Sequence, residues 1–230
     1  MTDGWFSASG GLFYHFKALR FRKTLWLPFR EELEKFLLEA LTSIPSSHRE
    51  NLILVGGSGG HCLPDSFLSA FQNIHHIDTD PNARLFFRWR HPGLPVRFYR
   101  EDVFDLKTPL PENAVWLWAG LLGQLGLSFS EEEVEKKRKQ VAFMMREKTW
   151  LSFHDLYSFR AEVERERLPL KDVYPDWKSV EPDLKKFYQF KLELRDHLTA
   201  NAWEFSKSRI LLWPLTSREM HFVEMGARFF

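Results

Sequence analysis

The chain has 230 residues, 44% of them hydrophobic, enough to bury a sizeable core within one α/β domain. Lysine and arginine total 32 against 31 aspartate and glutamate, so no net charge draws the whole molecule toward nucleic acid or an anionic membrane. The single cysteine, Cys62, excludes an internal disulfide and a cysteine-cluster metal site, and it suits a reducing compartment, with the cytoplasm as the simplest address.

The first residues are loose and contain Gly and Ser; helical pattern then runs over 12–41, with Leu33, Phe36, Leu37, Ala40 and Leu41 on one buried face. Pro28 opens the second helix of this stretch, since proline is tolerated in a first turn and breaks an interior. From residue 51 apolar runs alternate with helical patterns, the signature of a parallel sheet covered on both faces. Strands are expected at 52–55, 74–77, 96–99, 114–119 and 149–156, with helices at 63–71, 82–90 and from Ser130 to Lys148. Ser130 and Glu133 have the spacing of a capping box. An irregular segment at 160–182, containing Pro169, Pro175 and Trp177, is long enough to cover a pocket. Residues 183–205 read as a long amphipathic helix carrying Leu184, Phe187, Leu194 and Leu198. The runs 210–215 and 221–228 are joined through Thr216, Ser217, Arg218 and Glu219, a connection so short that it permits only an antiparallel pair. The expected fold is therefore α/β: a doubly wound, mostly parallel sheet of about seven strands with a C-terminal antiparallel hairpin, and an N-terminal helical cap at 1–50 on a Rossmann-like unit at 51–230.

The run LILVGGSGG at 52–60 empties a strand into small residues, and Asp78 closes the next apolar run about 20 residues later. Glycines let backbone approach a ligand, and a downstream acid hydrogen-bonds a ribose hydroxyl pair, so the pattern points to a nucleoside-containing cofactor. Asp78 is also able to cap the following helix, a task that Asp80 before Pro81 suits better. Asp102 has a second reading as a turn residue. Cys62 reads as a small buried hydrophobe rather than a nucleophile.

Five parallel strands alternating with helices and closed by a terminal antiparallel hairpin resemble the class I S-adenosylmethionine-dependent methyltransferases, over residues 51–230. That resemblance implies S-adenosyl-L-methionine as cofactor. Gly57, Ser58 and Gly59 then stand where the family's glycine loop passes beneath the methionine part. Asp78 in IDTDPNA, with Thr79 beside it, matches the acid on the ribose. Asp102 and Val103 in YREDVFDL match the acid-plus-apolar pair at the adenine. Ala119 and Gly120 in AVWLWAGLLGQL fall beside the sulfonium. The family often has an acid where this chain has Val55, and another at the start of the fourth strand, where Ala114 and Val115 stand. The Asn-Pro-Pro-aromatic sequence of amino-methylating nucleic-acid enzymes is absent, which removes support for base methylation.

Methyl transfer asks mainly that a nucleophile be held in line with the activated methyl, with a base where the acceptor carries a proton. His154 and Asp155, near the end of the fifth strand, are the candidates for that base, His154 having an equal reading as a histidine bonded within the sheet. No metal ligand set is assigned. A small-molecule substrate is expected and no membrane partner, since no apolar run reaches the roughly 20 residues of a membrane span and the N-terminus lacks a signal-peptide pattern. The arginines 84, 88, 90, 97 and 100, interleaved with aromatics, imitate an RNA-binding stripe, but a solvated helix face followed by a strand explains them more cheaply. Two other functions stay open. One is a dinucleotide-dependent oxidoreductase, although Cys62 stands where the third glycine of its motif belongs; the other is a binding or scaffold protein that kept the fold and lost catalysis.

Overall fold

Along β1 (Asn51–Gly56) the side chains of Leu52 and Leu54 join one buried cluster and those of Ile53 and Val55 another. β4 (Val115–Ala119) divides in the same way, Leu117 to one side and Trp116 and Trp118 to the other. Strands apolar on both faces must be covered on both, and that requirement makes this a three-layer α/β sandwich. The computed structural model describes residues 11–161, 170–187 and 193–230. The loose start at 1–10 lies outside them, as do Pro169 and parts of the expected cover and long helix.

The parallel strands β1, β2 (Asn73–Ile77), β3 (Val96–Tyr99), β4 and β5 (Trp150–Arg160) stand in the order β3-β2-β1-β4-β5. The sheet continues antiparallel through β9 (Glu219–Arg228), β8 (Lys207–Pro214) and the short β6 (Val173–Tyr174). β9 therefore inserts between β5 and β8, as a hairpin returning toward the sheet must to bury its apolar residues. Nine strands are found among the described residues, against the seven expected.

The helical stretch at 12–41 is two helices, α1 (Gly11–Phe21) and α2 (Leu27–Thr42), the second with Pro28 in its first turn. α2 buries Phe29, Leu33, Phe36 and Leu37 in the same cluster as β1 and β4. The helix after β1 is only α3 (Asp65–Leu68), and α4 (Ala83–Arg90) follows β2. On the other face lie α5 (Leu121–Ser128) and α6 (Glu131–Met144), and Ser130 and Glu133 do form the capping box.

The long helix at 183–205 is overturned. α7 (Trp177–Phe187) begins inside the segment expected to be irregular and holds Pro182 in its interior, while Glu193–Asp196 form the strand β7 on β5. β4 pairs with β5 only as far as Phe153, whereas β9 follows the whole of its other edge. The backbone of Tyr157–Arg160 thus had one free edge in the sheet, and closing it outweighs the helical spacing of Leu194 and Leu198. Leu198 and Asn201, both with positive φ, break any helix beyond.

Of the arginine stripe, Arg84, Arg88, Arg97 and Arg100 are exposed and Arg90 is half-buried. Arg88 lies over the Phe98 ring, Arg90 pairs with Asp65 at 3.6 Å, and Phe87 is buried in the core. Among the described residues no helix is long and apolar enough to cross a membrane.

Candidate functional site

At the carboxyl edge of the parallel strands a cavity of about 600 Å³ opens between the turn after β1, the ends of β2 and β4, and α1. Its wall includes Gly57, Ser58, Asp78, Thr79, Asp102, Val103, Ala119 and Gly120. Eight of the nine residues expected to hold a cofactor are thus brought together. The turn needs glycine at Gly57: φ is +81°, and a Cβ there would lie 3.0 Å from that of Ala119. Ser58 follows, also with positive φ, and its N–H donates to Asp78 Oδ2 at 2.8 Å. The other oxygen, Oδ1, accepts from the Asp80 N–H at 2.8 Å. Each carboxylate oxygen has a second lone pair, so Asp78 is fixed in place and still able to accept from a ligand hydroxyl.

Gly59 is the exception. It does not line the cavity; a Cβ there would run into Phe86, His61 and His15, so this glycine serves the packing of α1 and α4 beneath the turn. Asp102 does double work in position only: it edges the cavity, while its Oδ1 accepts from the Phe104 N–H at 3.0 Å, as a turn residue does. Asp80 opens the turn into α4 through the Asn82 N–H, 2.8 Å away.

Behind the turn is a buried polar chain that sequence reading missed. His15 of α1 sits 2.8 Å from His61 and 3.0 Å from Asp80 Oδ2, which Ser58 Oγ also reaches. Burial pushes the Asp80 carboxyl up, but the hydrogen bonds from His15 and Ser58 more than offset it and hold the group well below the usual range. Burial, with the charges of neighbouring cations, lowers His61 to about 3, so its ring is neutral at physiological pH. α1 is thus bolted to the glycine turn by polar contacts, and its Gly11, Tyr14 and Lys17 form part of the cavity wall.

The far end of the cavity is built by Phe153, Asp155, Ser158, His197, Trp213 and His221. Of the two base candidates, Asp155 is there and His154 is not. Alternation along β5 turns His154 to the opposite layer, fully buried against Trp203, with its Nε2 3.4 Å from Glu224. Asp155 and Ser158, three residues apart, would ordinarily face opposite ways as well. The pairing of β5 with β9 shifts at Leu156, so that Asp155 opposes Val223 and Ser158 opposes His221, and both face the cavity. His221 Nδ1 lies 3.0 Å from Asp155 Oδ1, though off the line of a good hydrogen bond. Burial pushes the Asp155 carboxyl up, and the adjacent His221 more than offsets it, leaving the group below its ordinary value. His197 contacts Ser158 Oγ at 2.8 Å through Nε2 and the Gly123 carbonyl through Nδ1. Neither histidine was singled out from sequence: His197 fell in the supposed long helix, and only the bulge gives His221 its carboxylate neighbour.

Five parallel strands in the order β3-β2-β1-β4-β5, prolonged by an antiparallel pair whose last strand enters next to β5, decide the architecture. The fold is a doubly wound, Rossmann-like α/β sheet closed by an antiparallel hairpin. Among solved structures, the N-methyltransferase NodS from Bradyrhizobium japonicum in complex with S-adenosyl-L-homocysteine is similar over 86% of this chain and 88% of its own, at 14% identity and a TM-score of 0.48. DhpI in complex with SAH is similar over 94% of both chains, at 12% identity and a TM-score of 0.45. For magnesium protoporphyrin IX methyltransferase (ChlM) from Synechocystis the figures are 90% and 86%, 9% identity and 0.46. No family model and no curated protein matches the chain.

Proposed function

We propose that the protein is an S-adenosylmethionine-dependent methyltransferase acting on a small molecule, with the cofactor along the glycine turn and the acceptor at the Asp155 end of the same cavity. The observation that carries this reading is the joining of Ser58 to Asp78 on the wall of one cavity that also reaches Val103 and Ala119. A ribose on Asp78 would extend its base toward Val103 and its methionine part toward Gly57 and Gly120, which faces the sulfonium into the acceptor end. The volume suits a ligand pocket, ordinarily roughly 300–1,000 Å³. Asp102 would take the adenine amino group with whichever lone pairs its turn leaves free. A cytoplasmic setting fits the single, buried thiol of Cys62.

A dinucleotide enzyme is less well supported, because its pyrophosphate needs a helix N-terminus directly after the glycines. Here the chain turns through Cys62, and α3 starts only at Asp65, an acid that would repel phosphate. Thermal unfolding with S-adenosylmethionine, S-adenosylhomocysteine and NAD, each in separate titrations, tests the reading. The two adenosyl ligands should raise the melting temperature and NAD should not. A shift with NAD alone would favour the oxidoreductase, and no shift with any of the three would favour a scaffold.

A further inference from the structure

We propose that Asp155, His197 and His221 form a binding site for one divalent transition-metal ion, its open coordination positions turned to the acceptor end of the cavity. The three side chains come from three separate places in the fold, β5, the stretch after β7 and β9, yet each offers one ligand atom and these atoms all lie within 4.8 Å of one another. Asp155 Oδ1 and His221 Nδ1 are already 3.0 Å apart. Bonds of about 2.1 Å at right angles need ligand atoms roughly 3 Å apart, so modest side-chain rotation completes the set. Two imidazoles and one carboxylate, with the remaining positions open, are the donor set of zinc, cobalt and non-haem iron rather than of magnesium or calcium.

Three further features favour an ion over a simple polar cluster. His197 Nδ1 is engaged by the Gly123 carbonyl, the outer contact that fixes a ligating imidazole, and this leaves Nε2 toward the cluster, where Ser158 Oγ meets it at 2.8 Å and an ion would displace that hydroxyl. Nδ1 of His221 is buried and has no well-aligned hydrogen-bond partner, although a carboxylate lies beside it. α5 is also shaped to bring the ligands together: Gly123 packs on the backbone of Asp155 and Gly126 on that of His197, where any Cβ would collide. Of the cations on the same wall, Lys17 is already paired with Glu219 at 2.9 Å.

The role of such an ion in transfer rests on the methyltransferase reading; its binding does not. An acceptor hydroxyl on the ion would release its proton to solvent water. The oxygen would then attack the methyl carbon, the C–O bond forming as the C–S bond breaks and the sulfonium leaves as a neutral thioether.

The test is calorimetric titration of the chelator-treated full chain with zinc and cobalt chlorides, magnesium serving as control, without cofactor. One zinc or cobalt per chain is expected at micromolar affinity or better, and no heat from magnesium. Asp155→Asn, His197→Gln and His221→Gln should each weaken binding at least tenfold, whereas His48→Gln should not. Independently of how the buried variants fold, proton spectra of the cobalt-loaded unmodified chain supply a second reading, with exchangeable imidazole signals from two histidines expected far outside the normal range. No saturable site below millimolar zinc, or a cobalt spectrum without shifted imidazole signals, overturns the proposal. S-adenosylmethionine titrated into the same samples separates the two ideas: metal binding without cofactor binding would retain the metal site and refute the methyltransferase reading.

Discussion

The Ser58 N–H donates to Asp78 Oδ2 across 2.8 Å, tying the turn after β1 to the carboxylate that follows β2. Removing that carboxylate deletes a backbone acceptor and the proposed ribose acceptor together. Asp78→Ala should weaken S-adenosylmethionine binding by roughly tenfold or more, from the loss of one or two charged hydrogen bonds. Calorimetric affinity measurements check this, and an unchanged affinity would dissociate Asp78 from the cofactor.

Gly57→Ala places a Cβ at a backbone with φ of +81° and 3.0 Å from Ala119 Cβ. The cost should be about 1–3 kcal/mol of stability, read as a lower midpoint in denaturant with an unchanged slope. Gly59→Ala should cost as much through collision with Phe86 and His61, but with no direct effect on the cavity wall.

Acid should destabilise the fold in two stages. His61 titrates at about 3 in the folded chain and near 6.5 when unfolded, so between these values the unfolded state binds more protons and stability falls as pH falls. This single group should remove about 2 kcal/mol between pH 7 and pH 5. His75 and His91, lowered by burial, act with the same sign. Asp80, whose folded value is depressed, contributes stability above the unfolded carboxylate range and loses it at still lower pH. Denaturant midpoints across pH 4–8 should therefore decline toward acid, and His61→Gln should flatten the upper part of the decline.

Cys62 is buried and its thiol is pushed up to about 12. It should resist a thiol reagent at pH 8 in the native state and react only as fast as the chain opens. A folded value above the unfolded one also means that its contribution is complete below about pH 8.5 and is lost as pH rises toward 12. Cys62→Ala should flatten that alkaline limb; rapid labelling of the folded protein would contradict the burial.

The strands were legible because their apolar runs were bounded by turn residues, and the glycine turn with Asp78 because the chemistry depends on a spacing visible along the chain. What escaped the sequence was set by distant partners. Leu194 has helical spacing with Leu198, yet β7 forms because the pairing of β4 with β5 stops at Phe153 and leaves an edge of β5 open. His154 and Asp155 are adjacent in sequence and indistinguishable as bases until the sheet sends them to opposite layers. His15 and His61 are 46 positions apart, and nothing local marks them as neighbours.

The irregularity at Leu156 constrains any redesign of this strand. Upstream of it odd-numbered positions such as Phe153 and Asp155 look into the cleft, and downstream the even-numbered Ser158 does. Excising one residue there would impose a single rhythm from end to end, and one half of β5 would turn inside out, sending either the carboxylate or the hydroxyl into the apolar layer behind.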